Sequence, residues 1–426
     1  MMTDHILTGF GFGPIQAGLF VKEAFQSGNF TRLIVAEIDA RLVDAVKANN
    51  GSYYINIAKA NGIETLKIDN VELLNPNVPA DKQILIQALA HSTEITTCLP
   101  SVNFYNSGAG NSITSLIAEA MKNRAAKSTI IYTAENNNHA AEILEKAVTQ
   151  NIAPLPEESV QFLNTVIGKM SRVVTDPVEI AQLNLKTIAP GLNRAFLVEQ
   201  FNRILVSKTR ISDFKPGIDI FIEKDDLLPF EEAKLYGHNA IHSLLGFIGA
   251  VKGYTKMTEL ANDSDVMQIG RAAYSEEYGA ALIKKYSSLD DDFFTDPGFK
   301  DFTEDLLTRM TNPYLGDTIA RVVRDIPRKL EMNGRIFGTM QLTLESGHEP
   351  KNMAFGAIAA IAVLLEKADE YNLPNDLRFS KWKNLDNDTI EKILNWLWSG
   401  KTNKHTNQII KHVQNALKPL TTLINE

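Results

Sequence analysis

The stretch LTGFGFGPIQAGLF (residues 7–20) lies where the first predicted strand leads into the first predicted helix, and its glycines alternate at Gly9, Gly11 and Gly13. Glycine permits a tight turn and lets backbone N–H groups approach a pyrophosphate at the positive end of a helix. In the G-x-G-x-x-G dinucleotide fingerprint counted from Gly11, Gln16 replaces the third glycine. Gly11, Gly13 and Gln16 are candidate cofactor contacts, but the glycines alone are equally compatible with a strand-to-helix turn that binds nothing.

Two acidic residues follow at the spacing that a dinucleotide site requires. The second predicted strand ends in LIVAEID, which places Glu37 and Asp39 about 20 residues beyond the turn. A carboxylate at this position accepts hydrogen bonds from the ribose hydroxyls and repels a 2′-phosphate. The pattern therefore predicts NAD, in preference to NADP, as the cofactor.

The chain divides into two parts by its periodicity. Early on, short β-branched runs such as RLIVAEI alternate with amphipathic stretches such as ARLVDAVKANN, which indicates parallel strands joined by helices. KQILIQALA (residues 82–90) is interpreted as a further strand, and helical periodicity dominates from about residue 192. We predict an α/β dinucleotide-binding domain over residues 1–190 and a mostly α-helical substrate and catalytic domain over residues 191–426, with a cleft between them.

Composition restricts the partners and the compartment. The formal charge of −8 argues against a broad nucleic-acid surface. Cys98 is the only cysteine, which excludes an intramolecular disulfide and fits a reducing compartment. The start of the chain does not have the pattern of a secretory signal, and no apolar run approaches membrane-spanning length. We expect a cytoplasmic protein with a small-molecule substrate and no nucleic-acid or membrane partner, either a monomer or a small homo-oligomer.

The stretch EEAKLYGHNAIHSLLGFIGAVKGY (residues 231–254) is an apolar helix with a polar beginning. Lys234, His238 and His242 are four residues apart and Asn239 lies beside them, so they share a sector of a regular helix. A lysine that is buried there, next to an imidazole, would have a lowered pKa and could act as a base. Oxidation of an alcohol needs such a base, and it needs donors that stabilise the developing alkoxide oxygen. These side chains supply both without a metal.

The spacing K-x-x-x-x-N-x-x-H at Lys234, Asn239 and His242 resembles the signature of the polyol-specific long-chain dehydrogenases, the mannitol dehydrogenase family. The segment TAENNNHAAEILEKAV resembles the A-C-E-N segment of this family, with Glu135 and Asn136 at the matching positions. The resemblance covers most of the chain. It implies a Rossmann-type N-terminal domain, NAD as cofactor, and Glu135 and Asn136 as cofactor-binding residues.

The segment FLNTVIGKM resembles the family segment that contributes a second asparagine, here Asn164, although IGK replaces the usual V-D-R. The resemblance implies that Lys234 is the general base and that Asn164 and Asn239 hold the reacting oxygen. It also implies that His242 binds a substrate hydroxyl and tunes the lysine. Glu231 matches an acidic residue that some members use to pass the proton to water, but a carboxylate favoured by the helix dipole explains it equally well.

A basic segment gives the indication of substrate. DTIARVVRDIPRKLEMNGRIFG (residues 317–338) resembles the R-D-P-x-R-K-L region of the family members that act on hexitol phosphates. Arg324 and Arg328 are candidate substrate-binding residues, because guanidinium groups can donate two hydrogen bonds to a phosphate. The alternatives are a solvated helix face or pairing of the arginines with Asp317 or Asp325.

The leading functional prediction is NAD-dependent oxidation of a hexitol phosphate to a ketose phosphate, of the mannitol 1-phosphate to fructose 6-phosphate type. A dehydrogenase or reductase of a free polyol or of a hexuronate is the enzymatic alternative. A dinucleotide-binding sensor without catalytic activity is the third possibility.

Overall fold

The computed structural model describes residues 5–150 and 152–425, which divide into two compact units. The first unit ends at Glu231 and the second begins at Glu232. The predicted boundary after residue 190 lies too early, because three short strands beyond it belong to the sheets of the first unit. Their shortness, four or five residues each, explains why helical periodicity seemed to dominate from residue 192.

All the strands among the described residues lie in the first unit. They are β1 (His5–Phe10), β2 (Phe30–Ala36), β3 (Tyr53–Lys59), β4 (Gly62–Ile68), β5 (Val71–Leu74), β6 (Glu94–Thr97), β7 (Thr129–Thr133), β8 (Val160–Ile167), β9 (Ser171–Val174), β10 (Ala195–Glu199), β11 (Ile204–Ser207) and β12 (Phe221–Lys224).

The larger sheet has the order β12-β11-β8-β7-β6-β1-β2-β5. Neighbouring strands from β8 to β5 are all parallel, and the chain winds outward from β1 in both directions. This is the arrangement of a doubly wound dinucleotide-binding fold, in which ligands bind beyond the carboxyl ends of the strands where the winding reverses. The predicted Rossmann-type fold class is confirmed. The reversal lies between β1 and β6.

The smaller sheet has the order β4-β3-β10-β9 and covers the helix that follows β1. The Tyr53 hydroxyl donates to the carbonyl oxygen of Ala17 at 2.7 Å. A Cβ on Gly18 would lie 2.7 Å from a methyl carbon of Val198. The helix after the glycine-rich turn therefore packs closely against β3 and β10 of the smaller sheet, while β1, before the turn, lies in the larger sheet.

The first unit contains seven helical segments of six residues or more among its described residues. They are a π-helical segment (Gln16–Val21), α1 (Lys22–Ser27), α2 (Ala40–Ala48), α3 (Pro79–His91), α4 (Ile113–Lys122), α5 (Ala140–Thr149) and α6 (Pro177–Gln182). The strand predicted at residues 82–90 is wrong, because these residues lie within α3. Proline at the first position favours a helix start, and the short apolar run at residues 84–86, of which only Leu85 is buried, resembles a strand in sequence.

The described part of the second unit contains helices and an isolated bridge, but no strand, which confirms the predicted mostly α-helical class. The chain enters it through α7 (Leu228–Glu232). The further helices are a π-helical turn (Ala233–His238), α8 (Asn239–Val251), α9 (Ser264–Ala272), a π-helical segment (Ala273–Gly279), α10 (Ala280–Lys285), α11 (Asp296–Met310), α12 (Ile319–Val322), α13 (Ile326–Lys329), α14 (Arg335–Glu345), α15 (Lys351–Glu366), α16 (Asn387–Leu397) and α17 (Thr406–Asn425).

Short 3₁₀ helices complete the described secondary structure. They are Val102–Phe104, Ala109–Asn111, Met257–Asn262, Asp292–Phe294, Asn375–Leu377 and Trp382–Asn384. None of the described helices is both long enough and apolar enough to cross a bilayer.

Helices α8 and α15 form the centre of the second unit. Almost every residue of α8 from Ala240 to Gly249 is buried, with His242 the partly exposed exception. A Cβ on Gly356 of α15 would lie 3.1 Å from the Cα of Leu244, so the two helices approach closely. Such tight packing holds the start of α8, where the candidate catalytic residues lie, in a fixed position.

Candidate active site

The glycine-rich turn has the geometry that the sequence predicted for it. Gly11 has a φ of +80°, and a Cβ there would lie 2.9 Å from the carbonyl oxygen of Cys98. A side chain at Gly11 would therefore be both strained and blocked. A Cβ on Gly13 would meet nothing within 4 Å. The backbone at Gly13 faces open space, as is required if its N–H is to approach a phosphate.

A cavity of about 590 Å³ lies next to this turn, beyond the carboxyl ends of β1, β2 and β6. Its lining includes Gly11, Gly13, Glu37, Asp39, Leu99 and Arg194. Four of the predicted cofactor residues are thus brought together at the position where a doubly wound fold binds a dinucleotide. Open glycine backbone at one end and carboxylates at the other fit the pyrophosphate and the ribose of NAD.

Glu37 connects the second strand to the glycine-rich turn. One carboxylate oxygen accepts a hydrogen bond from the backbone N–H of Phe12 at 2.7 Å, and the other accepts from that of Asp39 at 2.9 Å. Both oxygens are therefore already engaged in fixing backbone around the cavity. Asp39 lies at the beginning of α2. Its Oδ1 caps this helix by accepting a hydrogen bond from the N–H of Leu42 at 3.2 Å.

Gln16 does not line the cavity. Its side chain is fully buried, and its amide exchanges hydrogen bonds of 2.8 and 3.1 Å with the hydroxyl of Thr96 on β6. A Cβ on Gly9 would lie 2.1 Å from the amide nitrogen of Gln16, so Gln16 fills the space above that glycine. The departure from the fingerprint thus has a structural cause, since this side chain ties the first helix to the sheet.

Glu135 is buried behind the cavity wall, outside its lining. Its carboxylate accepts hydrogen bonds from the Tyr105 hydroxyl at 2.5 Å, the Thr97 hydroxyl at 2.9 Å and the Leu99 N–H at 2.8 Å. Burial raises the pKa of this carboxyl, although these donors oppose the change. Glu135 therefore holds the segment after β6, whereas the neighbouring Asn136 is exposed and also lies outside the lining.

Asn164 on β8 has a fixed amide orientation. Its Oδ1 accepts a hydrogen bond from the N–H of Ala141 at 2.9 Å, and its Nδ2 donates to the Glu142 carboxylate at 2.9 Å. The backbone donor determines which end of the amide is the oxygen. Beyond the hydrogen that it donates to Glu142, the amide nitrogen carries a second hydrogen that can be donated to a substrate oxygen.

The lysine signature lies on a π-helical turn and not on a regular α-helix. The N–H of Asn239 bonds to the carbonyl oxygen of Lys234, five residues earlier. Residues five apart are stacked in such a turn, whereas in an α-helix they would point in different directions. Asn239 and His242 are then three apart on α8 and share a face. The turn explains why the signature separates its lysine and asparagine by five.

Glycine and a threonine stabilise this turn. A Cβ on Gly237 would lie 2.6 Å from the ring of Tyr274 and 2.7 Å from that of Tyr278, so no other residue fits there without displacement. The Thr339 hydroxyl donates to the carbonyl oxygen of Tyr236 at 2.8 Å. Glu231 precedes the turn as a buried residue in the first turn of α7, a position compatible with either role expected for it.

His238 does not share the polar face that a regular helix would give it. It is buried, and burial together with the charges of Arg309, His242, Lys234 and Arg335 holds its pKa well below the usual value. His238 is thus neutral at physiological pH and belongs to the core. The π turn, which shifts the helical register, replaces it with Asn239 on the face of Lys234.

His242 is oriented by a buried carboxylate that the sequence analysis considered only as a partner for arginine. Its Nε2 lies 3.2 Å from Oδ2 of Asp317, at an angle unsuited to a linear hydrogen bond. Arg321 forms two hydrogen bonds with the same carboxylate, at 2.6 and 2.5 Å. Burial alone would raise the pKa of Asp317, but His242 and Arg321 outweigh it and hold the pKa well below its usual range.

A group of cations lies close to α8, and its buried members differ from the predicted ones. Arg324 is exposed, and the exposed Arg328 pairs with Asp325. Lys329 is only 5% exposed, and its side chain forms no hydrogen bond or ion pair with another described residue. Burial, followed by the charge of Arg335, lowers its pKa to about 7.

Arg335 connects this group to the helix of the signature. Its Nη1 lies 3.5 Å from the hydroxyl of Ser243, the residue after His242. No carboxylate pairs with it among the described residues, and burial lowers its pKa to about 10, with a further contribution from Arg328. Sequence spacing could not distinguish Lys329 and Arg335 from their exposed neighbours, because all belong to one basic segment.

Family models match nearly the whole chain. A model described as the mannitol dehydrogenase Rossmann domain matches residues 5–220, and one described as the mannitol dehydrogenase C-terminal domain matches residues 226–420. The chain belongs to the mannitol dehydrogenase family. The predicted family, the NAD-dependent oxidoreductase class and NAD as cofactor are confirmed at this level.

Curated relatives include two mannitol-1-phosphate 5-dehydrogenases. That of Buchnera aphidicola subsp. Acyrthosiphon pisum (strain Tuc7) is 27% identical over 359 residues, covering 82% of this chain and 84% of the relative. That of Halalkalibacterium halodurans is 26% identical over 361 residues, covering 85% and 89%.

Two solved structures have the same fold. A D-sorbitol dehydrogenase has a TM-score of 0.76 with 16% identity, covering 98% of this chain and 95% of its own. The Pseudomonas fluorescens mannitol 2-dehydrogenase, in a ternary complex with NAD and D-mannitol, has a TM-score of 0.71 with 16% identity, covering 99% and 94%. At this identity the likeness concerns the fold alone.

The role of Glu37 can be tested by substitution with alanine. The variant loses the acceptor for the N–H groups of Phe12 and Asp39, and hydrogen bonds to charged groups contribute about 1.5–3 kcal/mol each. We expect the dissociation constant for NADH, measured by calorimetry, to rise about tenfold to hundredfold. Glu72→Ala, on the neighbouring strand β5, is the control and should bind NADH like the parent. Unchanged binding in Glu37→Ala would contradict this role.

Asp317→Asn should destabilise the protein, because a buried carboxylate that pairs with Arg321 and His242 is lost. We expect a loss of about 1–3 kcal/mol in the free energy of unfolding at pH 7. The folded-state pKa of Asp317 is lowered, so its contribution is complete above the unfolded value of 3.8 and declines as pH falls below it. The difference from wild type, measured by denaturant titration, should therefore be constant from pH 7 to about 4 and shrink below that. A difference that grows on acidification would refute the assignment.

Proposed function

We propose that this family member oxidises a hexitol phosphate to the corresponding ketose phosphate with NAD, in the manner of mannitol 1-phosphate and fructose 6-phosphate. The observation that carries the proposal is a pair of cations beside the helix that bears the signature, the buried Lys329 and the half-buried Arg335, whose side chains have no carboxylate partner among the described residues. The names of the curated relatives support the same substrate class.

Lys234 acts as the general base in this proposal. Its neutral amine removes the proton of the reacting secondary hydroxyl, and the C–H electron pair leaves as hydride. When bound, NAD supplies the hydride acceptor. Amide nitrogens of Asn239 and Asn164 donate hydrogen bonds to the developing alkoxide oxygen, and such donors stabilise the transition state most when they are already fixed in place. The π turn fixes Asn239, and the N–H of Ala141 fixes Asn164.

His242 binds a neighbouring hydroxyl of the substrate, with Asp317 holding the imidazole in position. Asp317 is 2% exposed and carries its charge at all ordinary pH values, since its pKa is well below the usual range. A buried carboxylate next to an imidazole fixes the orientation of the ring. Arg321, on the other side of the carboxylate, keeps Asp317 from moving toward the substrate.

The buried cations give a reason for phosphate over a neutral polyol. Burying a charge without a partner costs several kcal/mol, and an anionic ligand removes this cost when it binds. The free enzyme shows the cost in the lowered pKa values of Lys329 and Arg335. Arg324 and Arg328 lie near enough for their charges to lower the pKa of Lys329, and in the proposal they attract the phosphate from the exposed side.

Replacing Lys234 with alanine tests the catalytic role. We expect kcat to fall about 10²–10⁴-fold, the range for loss of a general base, while NADH binding is nearly unchanged. Lys300→Ala, at an exposed lysine of α11, is the control and should retain full turnover. If Lys234→Ala turns over like the control, the lysine is not the base. If the parent protein itself turns over none of the polyols and polyol phosphates tested, the chain is a sensor and not an enzyme.

Lys329→Met tests the phosphate site. Methionine keeps the length of the side chain but removes its charge, so KM for mannitol 1-phosphate should rise about tenfold or more, whereas KM for mannitol should change little. Arg324→Ala removes an exposed charge of the same sign and should have a much smaller effect. Equal effects on both substrates would favour a free polyol as the natural substrate.

The pH dependence of the parent protein provides a second test. With a pKa of about 7 in the free enzyme, Lys329 is charged below that pH and neutral above it. KM for the phosphorylated substrate should therefore rise between pH 7 and pH 9, and this rise should be absent in Lys329→Met. Steady-state kinetics of both proteins from pH 7 to pH 9 measure this rise in KM. A rise in KM that persists in Lys329→Met would exclude Lys329 as its cause.

A further inference from the structure

The adenosine end of the cofactor cavity contains a cation that the sequence pattern did not indicate. Arg194 lies directly before β10, far from Asp39 in the chain, yet its guanidinium nitrogen Nη2 lies 2.5 Å from Oδ2 of Asp39. Both side chains are partly exposed and line the cavity. The smaller sheet brings them together, because β10 packs against the first helix beside the end of β2.

Asp39 is the carboxylate that we assign to a ribose at this end, because its side chain is partly exposed and each carboxylate oxygen can accept more than one hydrogen bond. Both oxygens of Glu37 accept backbone hydrogen bonds, which commits that carboxylate to the turn. Asp39 uses one oxygen to cap α2 and the other to pair with Arg194. Burial would raise the pKa of Asp39, but the hydrogen bond and charge of Arg194, together with hydrogen bonds from the N–H groups of Leu42 and Arg41, lower it below its usual value, so the carboxylate is charged.

Arg194 retains donors that the protein does not use. A guanidinium group carries several N–H donors in a planar fork. Among the described residues, the side chain of Arg194 makes one hydrogen bond, to Asp39. The unused donors lie in the cavity where a dinucleotide fold places the ribose 2′ position. Arginine at this position can accommodate a 2′-phosphate, and its fork matches a phosphate in geometry.

We propose that this protein accepts NADP as well as NAD, and that Arg194 binds the 2′-phosphate while Asp39 binds the ribose diol of NAD. Arg194 offsets the charge of Asp39, which would otherwise repel a 2′-phosphate. On binding of NADP, the guanidinium divides its donors between the carboxylate and the phosphate. NAD remains the better ligand because Asp39 and Glu37 together exceed the charge of one arginine.

Fragment binding tests this proposal independently of the substrate. We suggest calorimetry with adenosine 5′-diphosphate, which represents NAD, and with adenosine 2′,5′-bisphosphate, which represents NADP, on the full chain. The parent protein should bind both fragments. Arg194→Ala should weaken the bisphosphate tenfold or more and the diphosphate by less than about threefold, whereas Asp39→Asn should strengthen the bisphosphate.

A double variant separates direct contact from an effect through Asp39. In the Asp39→Asn background, Arg194→Ala should still weaken the bisphosphate about tenfold if the guanidinium contacts the phosphate. Arg32→Ala is the matched control, because Arg32 forms a comparable pair with Glu72 at 2.6 Å but does not line the cavity. It should leave both fragments unchanged.

The outcomes decide the proposal in either direction. Selective loss of the bisphosphate in both backgrounds supports it. No binding of the bisphosphate to the parent protein overturns it, and so does an equal loss of both fragments or a loss that vanishes in the Asp39→Asn background. Reduction of NADP with a polyol substrate should show the same order of variants in kcat/KM.

Discussion

The hydrogen bond from the N–H of Asn239 to the carbonyl oxygen of Lys234 is the constraint on which the candidate catalytic site depends. It closes a π-helical turn, an arrangement that is rare in helices and frequent at functional sites. Its presence stacks the lysine and the asparagine on one face and sends His238 into the core. The cost of the irregular turn is offset by its surroundings, where Gly237 admits two tyrosine rings and Thr339 donates to the carbonyl oxygen of Tyr236.

Charge is distributed differently in the two units. Around the cofactor cavity, each carboxylate is satisfied by backbone N–H groups or by Arg194, so the first unit needs no ligand to balance it. In the second unit, the buried Lys329 lies close to the half-buried Arg335, and neither side chain has a carboxylate partner among the described residues. Such groups reduce the stability of the free protein and favour an anionic ligand. An unmet electrostatic requirement thus indicates the substrate end in the second unit, whereas the fold and the cavity lining indicate the cofactor end in the first.

Several expectations from the sequence correspond to features that local interactions determine. The alternating glycines produce the predicted turn at Gly11 and Gly13, and the acidic residues Glu37 and Asp39 line the cavity beside them. The strands predicted at β1, β2 and β7 are present. The lysine, asparagine and histidine of the signature lie at one helix start, although the turn that aligns them was not foreseen. Residue spacing carries this information because neighbours in sequence are neighbours on one element.

The sequence by itself therefore indicated the family, the doubly wound fold with a helical second domain, and a set of candidate site residues. Tertiary structure decided which members of that set are free to act. Gln16 and Glu135 are held by Thr96 and Tyr105, and Asp317 lies against His242. Lys329 is buried and Arg335 is half-buried, while Arg324 and Arg328 are exposed. The physical reason is that burial and pairing depend on partners distant in the chain, which periodicity along a single element does not report.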